Sequence, residues 1–190
     1  MAADAARKAL EDSGTAPEEV DLILVSTISS NVILPCAACE VQREIGAVNA
    51  TCYDMSAACT GFVFGYSAAL AYLASGMYKT ILVIGSESLS NLTNWKDRGT
   101  CILFGDGAGA AIFRLADTPF ALTLGARGSD VLHAGGPSRE GSAPITMDGK
   151  AVFRFAVDAL PKCLHTVLDE TRLTLEDLSW VVCHQANSRI

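Results

Sequence analysis

The residues best suited to covalent chemistry stand in the segment Asp54-Met-Ser-Ala-Ala-Cys59-Thr-Gly-Phe62. Residues 51–55 read as a strand, small side chains make the turn after it, and Cys59 falls at the start of an apolar helix over 61–73. The first N–H groups of a helix have no partner inside it, and with the macrodipole they favour a thiolate. Small neighbours let a substrate approach closely. A cysteine in this setting is a candidate nucleophile. It equally fits a small, inert core residue, the usual use of a free cysteine, and position alone leaves both readings standing.

A second candidate is His184, in His184-Gln-Ala-Asn187, directly after an apolar run, Trp180 to Cys183, that reads as a strand. Ligand-facing residues of α/β sheets gather at the carboxyl ends of strands. A histidine there, with two amides close behind, can serve as base or hydrogen-bond donor, or can be a structural residue at a strand-to-helix turn. Cys59 and His184 are 125 positions apart (184 − 59), so they meet only if the fold joins two strand ends.

Other features carry less. Phe104-Gly-Asp-Gly-Ala-Gly-Ala110 has the spacing of a dinucleotide-binding loop at Gly105, Gly107 and Ala110, but that loop must open a helix. Pro119 follows too closely, and a tight hairpin between strands over 101–104 and 110–114 is expected instead. Cys36 and Cys39 form a C-x-x-C without a second pair, so no metal site is expected and the two read as small residues of a helix. Lys96, Arg98 (beside Trp95) and Arg189 are the cations near these loops. An arginine can pair with phosphate or stack on a base, or be a solvated charge. Glu87 and His133 receive no role.

Positioning these residues requires a folded scaffold, and the composition provides for one. Half of the 190 residues are hydrophobic and 18% are charged, which excludes disorder as the main state. No apolar run approaches the ~20 residues of a membrane span. The N-terminus lacks the apolar stretch of a signal peptide, and a net charge of -7 speaks against nucleic acid as the main ligand. An odd number of cysteines without a secretory signal implies reduced thiols in the cytoplasm.

Ala2, Ala6 and Leu10 line one face of a helix over 2–13, with Gly14 suited to its left-handed cap. Thr15-Ala-Pro-Glu18 resembles a capping box. Leu22 to Thr27 and Thr80 to Gly85 read as buried strands. Residues 36–45, 61–73 and 151–170 read as helices, and 125–149 as a glycine-rich loop. The helix over 61–73 is apolar all round and is therefore expected to be buried. Glu19-Val-Asp-Leu-Ile-Leu-Val-Ser26 matches Asp177-Leu-Ser-Trp-Val-Val-Cys-His184 at an offset of 158, which also pairs Leu10 with Leu168. Two related halves follow, about 1–115 and 116–190, each a helix, an acidic turn and a strand, with Ser26 and His184 at equivalent strand ends. The chain begins in a helix with no strand before it and stops soon after Asn187, so a truncated α/β fold is expected.

Four segments, DMSAACTGF (54–62), DRGTCILFGDGAGAAI (97–112), MDGKAVFRFAV (147–157) and HQANSRI (184–190), together resemble the ketoacyl synthase III family, the condensing enzymes that start bacterial fatty-acid synthesis. They occur in family order and at family-like spacing over nearly the whole chain. The resemblance implies a thiolase-like layered αβαβα fold, truncated here, and the decarboxylative condensation of an acyl-CoA primer with malonyl-acyl carrier protein. It implies that Cys59 carries the acyl group. His184, with an asparagine that the family places in a Gly-Asn-Thr-type segment beyond HQAN, then stabilises the enolate formed as CO2 leaves. By the same resemblance Phe62 is a pocket wall, Arg98 packs on the CoA adenine, and Arg189 belongs to the carrier-protein docking surface, giving an acidic enzyme a basic patch for an acidic carrier. Leu34 stands where many members have a phenylalanine that reaches across a homodimer into the partner's acyl pocket. No cofactor, metal, nucleic acid or membrane is implied. A polyketide or secondary-metabolite starter condensing enzyme, and an inactive truncated copy, are the alternatives.

Overall fold

The computed structural model describes residues 1–118, 120–136 and 143–187; Arg189 lies outside them. The chain forms two compact units, one of residues 1–91 with 105–116, the other of 92–104 with 117 onward.

In the first unit, two apolar runs become the central strands of a sheet because both of their faces are covered. Along β1 (Leu22–Ser26), Ile23 and Val25 enter one cluster while Leu22 and Leu24 enter another. Along β3 (Ile81–Ser88), Leu82 and Ile84 join the first cluster and Ile81 and Val83 the second. This is the two-residue alternation of a strand buried on both sides. The first cluster is closed by α1 (Ala2–Ser13) and α2 (Ala37–Ile45), the second by α3 (Gly61–Ala74). With β2 (Thr51–Met55) and β4 (Asp106–Phe113) the sheet order is β2-β1-β3-β4. β1 is parallel to β2 and β3, and β4 is antiparallel to β3. The parallel strands follow one another through helical crossovers, α2 between β1 and its neighbour β2, and α3 between β2 and β3, which lie on either side of β1.

α3 corrects the expectation of all-round burial. Only Gly61, Gly65, Ala69 and Leu73, one residue every fourth, are buried, while Phe62 and Val63 are exposed. The buried stripe is narrow because its residues are small and the backbone sits directly on the sheet: a Cβ at Gly65 would stand 2.7 Å from Val83 Cγ1.

The expected hairpin over 101–114 is also corrected. Residues 100–103 are turns and the glycine run lies inside β4, paired with β3 from Ile81↔Phe113 to Ser88↔Asp106. The turn is fixed by Asp97, whose carboxylate accepts the Gly99 N–H at 2.9 Å and the Thr100 hydroxyl at 2.7 Å and whose carbonyl accepts the Cys101 N–H at 2.9 Å.

In the second unit, a short hairpin of β5 (Leu132–His133) and β6 (Thr146–Met147) interrupts the expected loop. Asp148 caps α4 (Gly149–Thr171) by accepting the N–H groups of Lys150 and Ala151, each at 3.1 Å. The strand expected at 180–183 is not formed: no described residue pairs with it, and Trp180 and Val182 are almost fully exposed. A strand exists by pairing, and an apolar run without a neighbour cannot become one. No described helix is long and apolar enough to cross a membrane.

The internal repeat is visible in detail at the helix ends. Gly14 and Arg172, 158 positions apart, both adopt the left-handed conformation at a helix C-terminus, with φ 61° and 58°. In each case the next N–H reaches back, Thr15 to Leu10 and Leu173 to Leu168, both at 3.0 Å. A 3₁₀ turn follows, Pro17–Glu19 or Leu175–Asp177, in which the third residue's carboxylate accepts the N–H of Ala16 or Thr174. The capping acid is Glu19, not the expected Glu18. Thr15 cannot act as the cap, because its hydroxyl is engaged by Ser13 at 2.7 Å and by Arg114 at 3.1 Å.

Candidate active site

The small residues after β2 let the chain turn sharply into α3. Ala57 is extended in φ, Ala58 takes φ 44°, and a 3₁₀ turn Ala58–Thr60 runs directly into the helix. A positive φ is uncommon for a residue with a side chain, and such backbone outliers gather at functional sites. The Thr60 hydroxyl closes the turn on the Ala57 carbonyl at 2.9 Å. Cys59 is carried on this turn and is exposed.

Cys59 lines a pocket of about 240 Å³ with Ala58, Phe62 and Ser26, and with Gly85, Ser86, Glu87, Gly107, Ala108 and Gly109 of β3 and β4. The glycine motif therefore contributes as a strand. It supplies a wall of small residues, in which Gly107 and Gly109 have nothing within 4 Å of where a Cβ would be. Phe62 forms the apolar side, its ring 6.3 Å from that of Phe113.

The thiol is not the depressed one that a helix N-terminus suggests. Partial burial pushes it up, its own backbone N–H pulls it back, and the Glu87 carboxylate adds to the upward push. Desolvation and a nearby negative charge both disfavour a thiolate, and here they outweigh the pull of the backbone N–H.

Glu87, given no role from the sequence, is the residue that reasoning missed. Its carboxylate accepts the Ile28 N–H at 3.1 Å and the Thr27 hydroxyl at 3.4 Å, and it is bonded to the Ser29 hydroxyl. Ser29 Oγ in turn accepts the Ser88 N–H at 2.7 Å. The segment leaving β1 is thus tied to the end of β3 beside Cys59. The signal was available: Glu87 follows the apolar run 80–85, where the strand-end rule used for His184 applies.

The remaining candidates lie elsewhere. Leu34 is 86% exposed beside the cis bond to Pro35, next to the equally exposed Ile33. Arg98 and His184 are exposed residues of the second unit, Arg98 in the Asp97 turn and His184 in an extended segment without a strand. Asn187 lines an open hollow of about 520 Å³ with Gly149, Lys150, Phe153 and Arg154. Among the described residues no three metal-binding side chains cluster.

Residues 53–128 match the family model described as 3-oxoacyl-[acyl-carrier-protein (ACP)] synthase III. The whole chain aligns at 44% identity with 62% of the beta-ketoacyl-[acyl-carrier-protein] synthase III of Clostridium acetobutylicum. It superposes on 61% of the 3-oxoacyl-[acyl-carrier-protein] synthase III of Aquifex aeolicus with a TM-score of 0.92 at 38% identity. It also superposes on 60% of the priming beta-ketosynthase of the R1128 polyketide pathway, with a TM-score of 0.88 at 37% identity. The chain thus spans about 62% of the length of the curated relatives it matches. Over that length it has their thiolase-like α/β fold, and it belongs to the 3-oxoacyl-[acyl-carrier-protein] synthase III family.

Proposed function

We propose that these residues belong to a 3-oxoacyl-[acyl-carrier-protein] synthase III, which condenses an acyl-CoA primer with malonyl-acyl carrier protein to open a fatty-acid chain. The observation that carries this reading is Cys59 on the strained turn at the head of α3, exposed to a pocket walled in part by glycine and alanine. In the reaction Cys59 loses its proton, its sulfur attacks the primer's thioester carbonyl, and the CoA thiol leaves. The malonyl thioester then loses CO2. The electron pair released forms an enolate, which attacks the acyl-Cys59 carbonyl and returns the cysteine sulfur. His184, with the family's asparagine, donates hydrogen bonds to the enolate oxygen; donors aimed at developing charge are worth several kcal/mol, of order 3 for a single one.

Burial foremost, with the Glu87 carboxylate adding to it, raises the Cys59 thiol, so the proton must be removed before the sulfur attacks. Phe62 walls the acyl pocket. The exposed apolar Leu34 suits a contact with a second copy of the chain in a homodimer, as the family places it. Arg98 suits the CoA adenine and Arg189 the carrier protein. The match to a polyketide priming ketosynthase favours one second reading, the same condensation with a different primer. Incubation with acyl-CoAs of graded length and intact-mass measurement tests both. A single acyl adduct, absent in Cys59→Ala, supports the nucleophile, and the preferred chain length separates the two primers. Adduct formation that survives Cys59→Ala refutes the assignment.

A further inference from the structure

Cys36 and Cys39, which the site above does not use, form a second thiol pair at the opening of α2. Cys36 is the N-cap of the helix, and the N–H groups of Cys39 and Glu40 both reach its carbonyl, at 3.0 and 3.2 Å. Residues three apart share one face of a helix, and Cys36 Sγ stands 3.4 Å from Cys39 Sγ. A disulfide needs about 2.05 Å between sulfurs and a Cα separation of roughly 4.4–6.8 Å, which a single helical turn provides, so side-chain rotation alone closes the gap. The backbone need not move. The Asp54 carboxylate holds the Ala37 and Ala38 N–H groups, both at 2.8 Å, and fixes the first turn in place. Both cysteines are half-buried, open to a small reagent but flanked by core.

We propose that Cys36 and Cys39 are a redox-active dithiol that a low-molecular-weight disulfide oxidises to an intramolecular disulfide. The thiolate of one cysteine attacks a sulfur of the small disulfide and expels one small thiol. The thiolate of the other attacks the resulting mixed disulfide, joins the two protein sulfurs and expels the second. Two electrons and two protons pass from the protein to the small disulfide, which leaves as two thiols. Cys52 on β2 is the neighbouring third thiol, and it does not compete. Burial foremost, then the nearby Cys39 and Cys36, push it up to about 12, so it holds its proton. Burial also raises Cys36. A thiolate that the protein does not stabilise reacts slowly, yet it leaves the disulfide hard to reduce once formed.

The test uses oxidised glutathione as the probe, a Cys59→Ala background, and tryptic mass mapping. Cleavage after Lys8 and Arg43 releases residues 9–43, with Cys36 and Cys39 as their only cysteines, and Cys52 falls in the next peptide, 44–79. The 9–43 peptide is expected to lose two hydrogen atoms, about tenfold faster per pH unit between pH 7 and 8 as the thiolate fraction grows. Cys36→Ser and Cys39→Ser are each expected to retain glutathione on the remaining cysteine. The proposal is overturned if the 9–43 peptide keeps glutathione, cross-links to 44–79, or stays reduced while the exposed Cys163 and Cys183 become fully glutathionylated. The readout does not depend on condensing activity.

Discussion

Gly61, the first residue of α3, lies so close to Ser26 at the end of β1 that a Cβ at position 61 would overlap the serine hydroxyl. This contact seats the head of α3 on the sheet, and with it the turn that carries Cys59. Gly61→Ala must push the helix or the strand end aside, and overpacking of this kind costs about 1–3 kcal/mol. A lowered urea midpoint is expected, together with a changed rate of Cys59 alkylation by iodoacetamide. Gly65→Ala, whose Cβ would press on the Val83 side chain one turn away, is expected to lower the midpoint while leaving the alkylation rate nearly unchanged.

Burial foremost raises the Cys59 thiol, and the Glu87 charge adds to it; Glu87→Gln removes that second contribution. The thiolate is then less disfavoured, so the thiol pKa falls and the thiolate fraction at pH 7 rises. Alkylation at pH 7 is expected to quicken by roughly two- to tenfold, with the pH–rate curve displaced to lower pH. An unchanged or slower rate would show that Glu87 does not act on the thiol electrostatically.

The two left-handed helix caps make opposite predictions. Gly14→Ala places a Cβ where φ is 61° and is expected to cost about 1 kcal/mol. Arg172→Gly relieves the same conformation at φ 58° and is expected to gain up to about 1 kcal/mol. Urea titration of the two variants measures both signs.

Cys52 couples stability to alkaline pH. Its thiol, 9.0 ordinarily, is pushed up to about 12 in the fold. Below pH 9 both states hold the proton and its contribution is fully present. From there to about pH 12 the unfolded chain releases a proton that the folded chain keeps, so stability falls as pH rises. The slope is at most about 1.4 kcal/mol per pH unit, reduced by the partial exposure of the group. Burial and the Tyr72 hydroxyl raise Tyr53 in the same sense. Cys52→Ala is expected to flatten the loss between pH 9 and 11 in urea titrations, and an unaltered slope would assign it elsewhere.

The parts of the fold that could be read from the sequence are those whose pattern is local. β1 and β3 announce themselves as apolar runs bounded by polar residues, α1 by its alanine and leucine face, and its end by Gly14. The 158-residue offset survives in detail, down to matching hydrogen bonds at Gly14 and Arg172. The misreadings share one cause. Cys101 to Phe104 and Trp180 to Cys183 look like strands because they are apolar, but pairing depends on distant residues. The first is held as a turn by Asp97, and the second has no described partner. The glycine-rich composition of 105–109 suggests a turn, whereas residues 106–109 pair with β3 and 107–109 line the pocket. The place of Cys59, in the turn just before α3, was legible. Its raised thiol was not, because burial, the first cause, depends on the packed fold, and Glu87, which adds to it, stands 28 residues further along the chain (87 − 59).

The central claim is that Cys59 is the nucleophile that accepts the acyl group. The direct measurement is intact-mass and peptide mapping after brief incubation with a short acyl-CoA, on the wild-type protein and on Cys59→Ala. A single acyl group, mapped to the peptide 44–79 and lost in Cys59→Ala but not in Cys52→Ala, is the predicted result. An acyl group on another cysteine, or none at Cys59 while iodoacetamide still reaches that thiol, would contradict it.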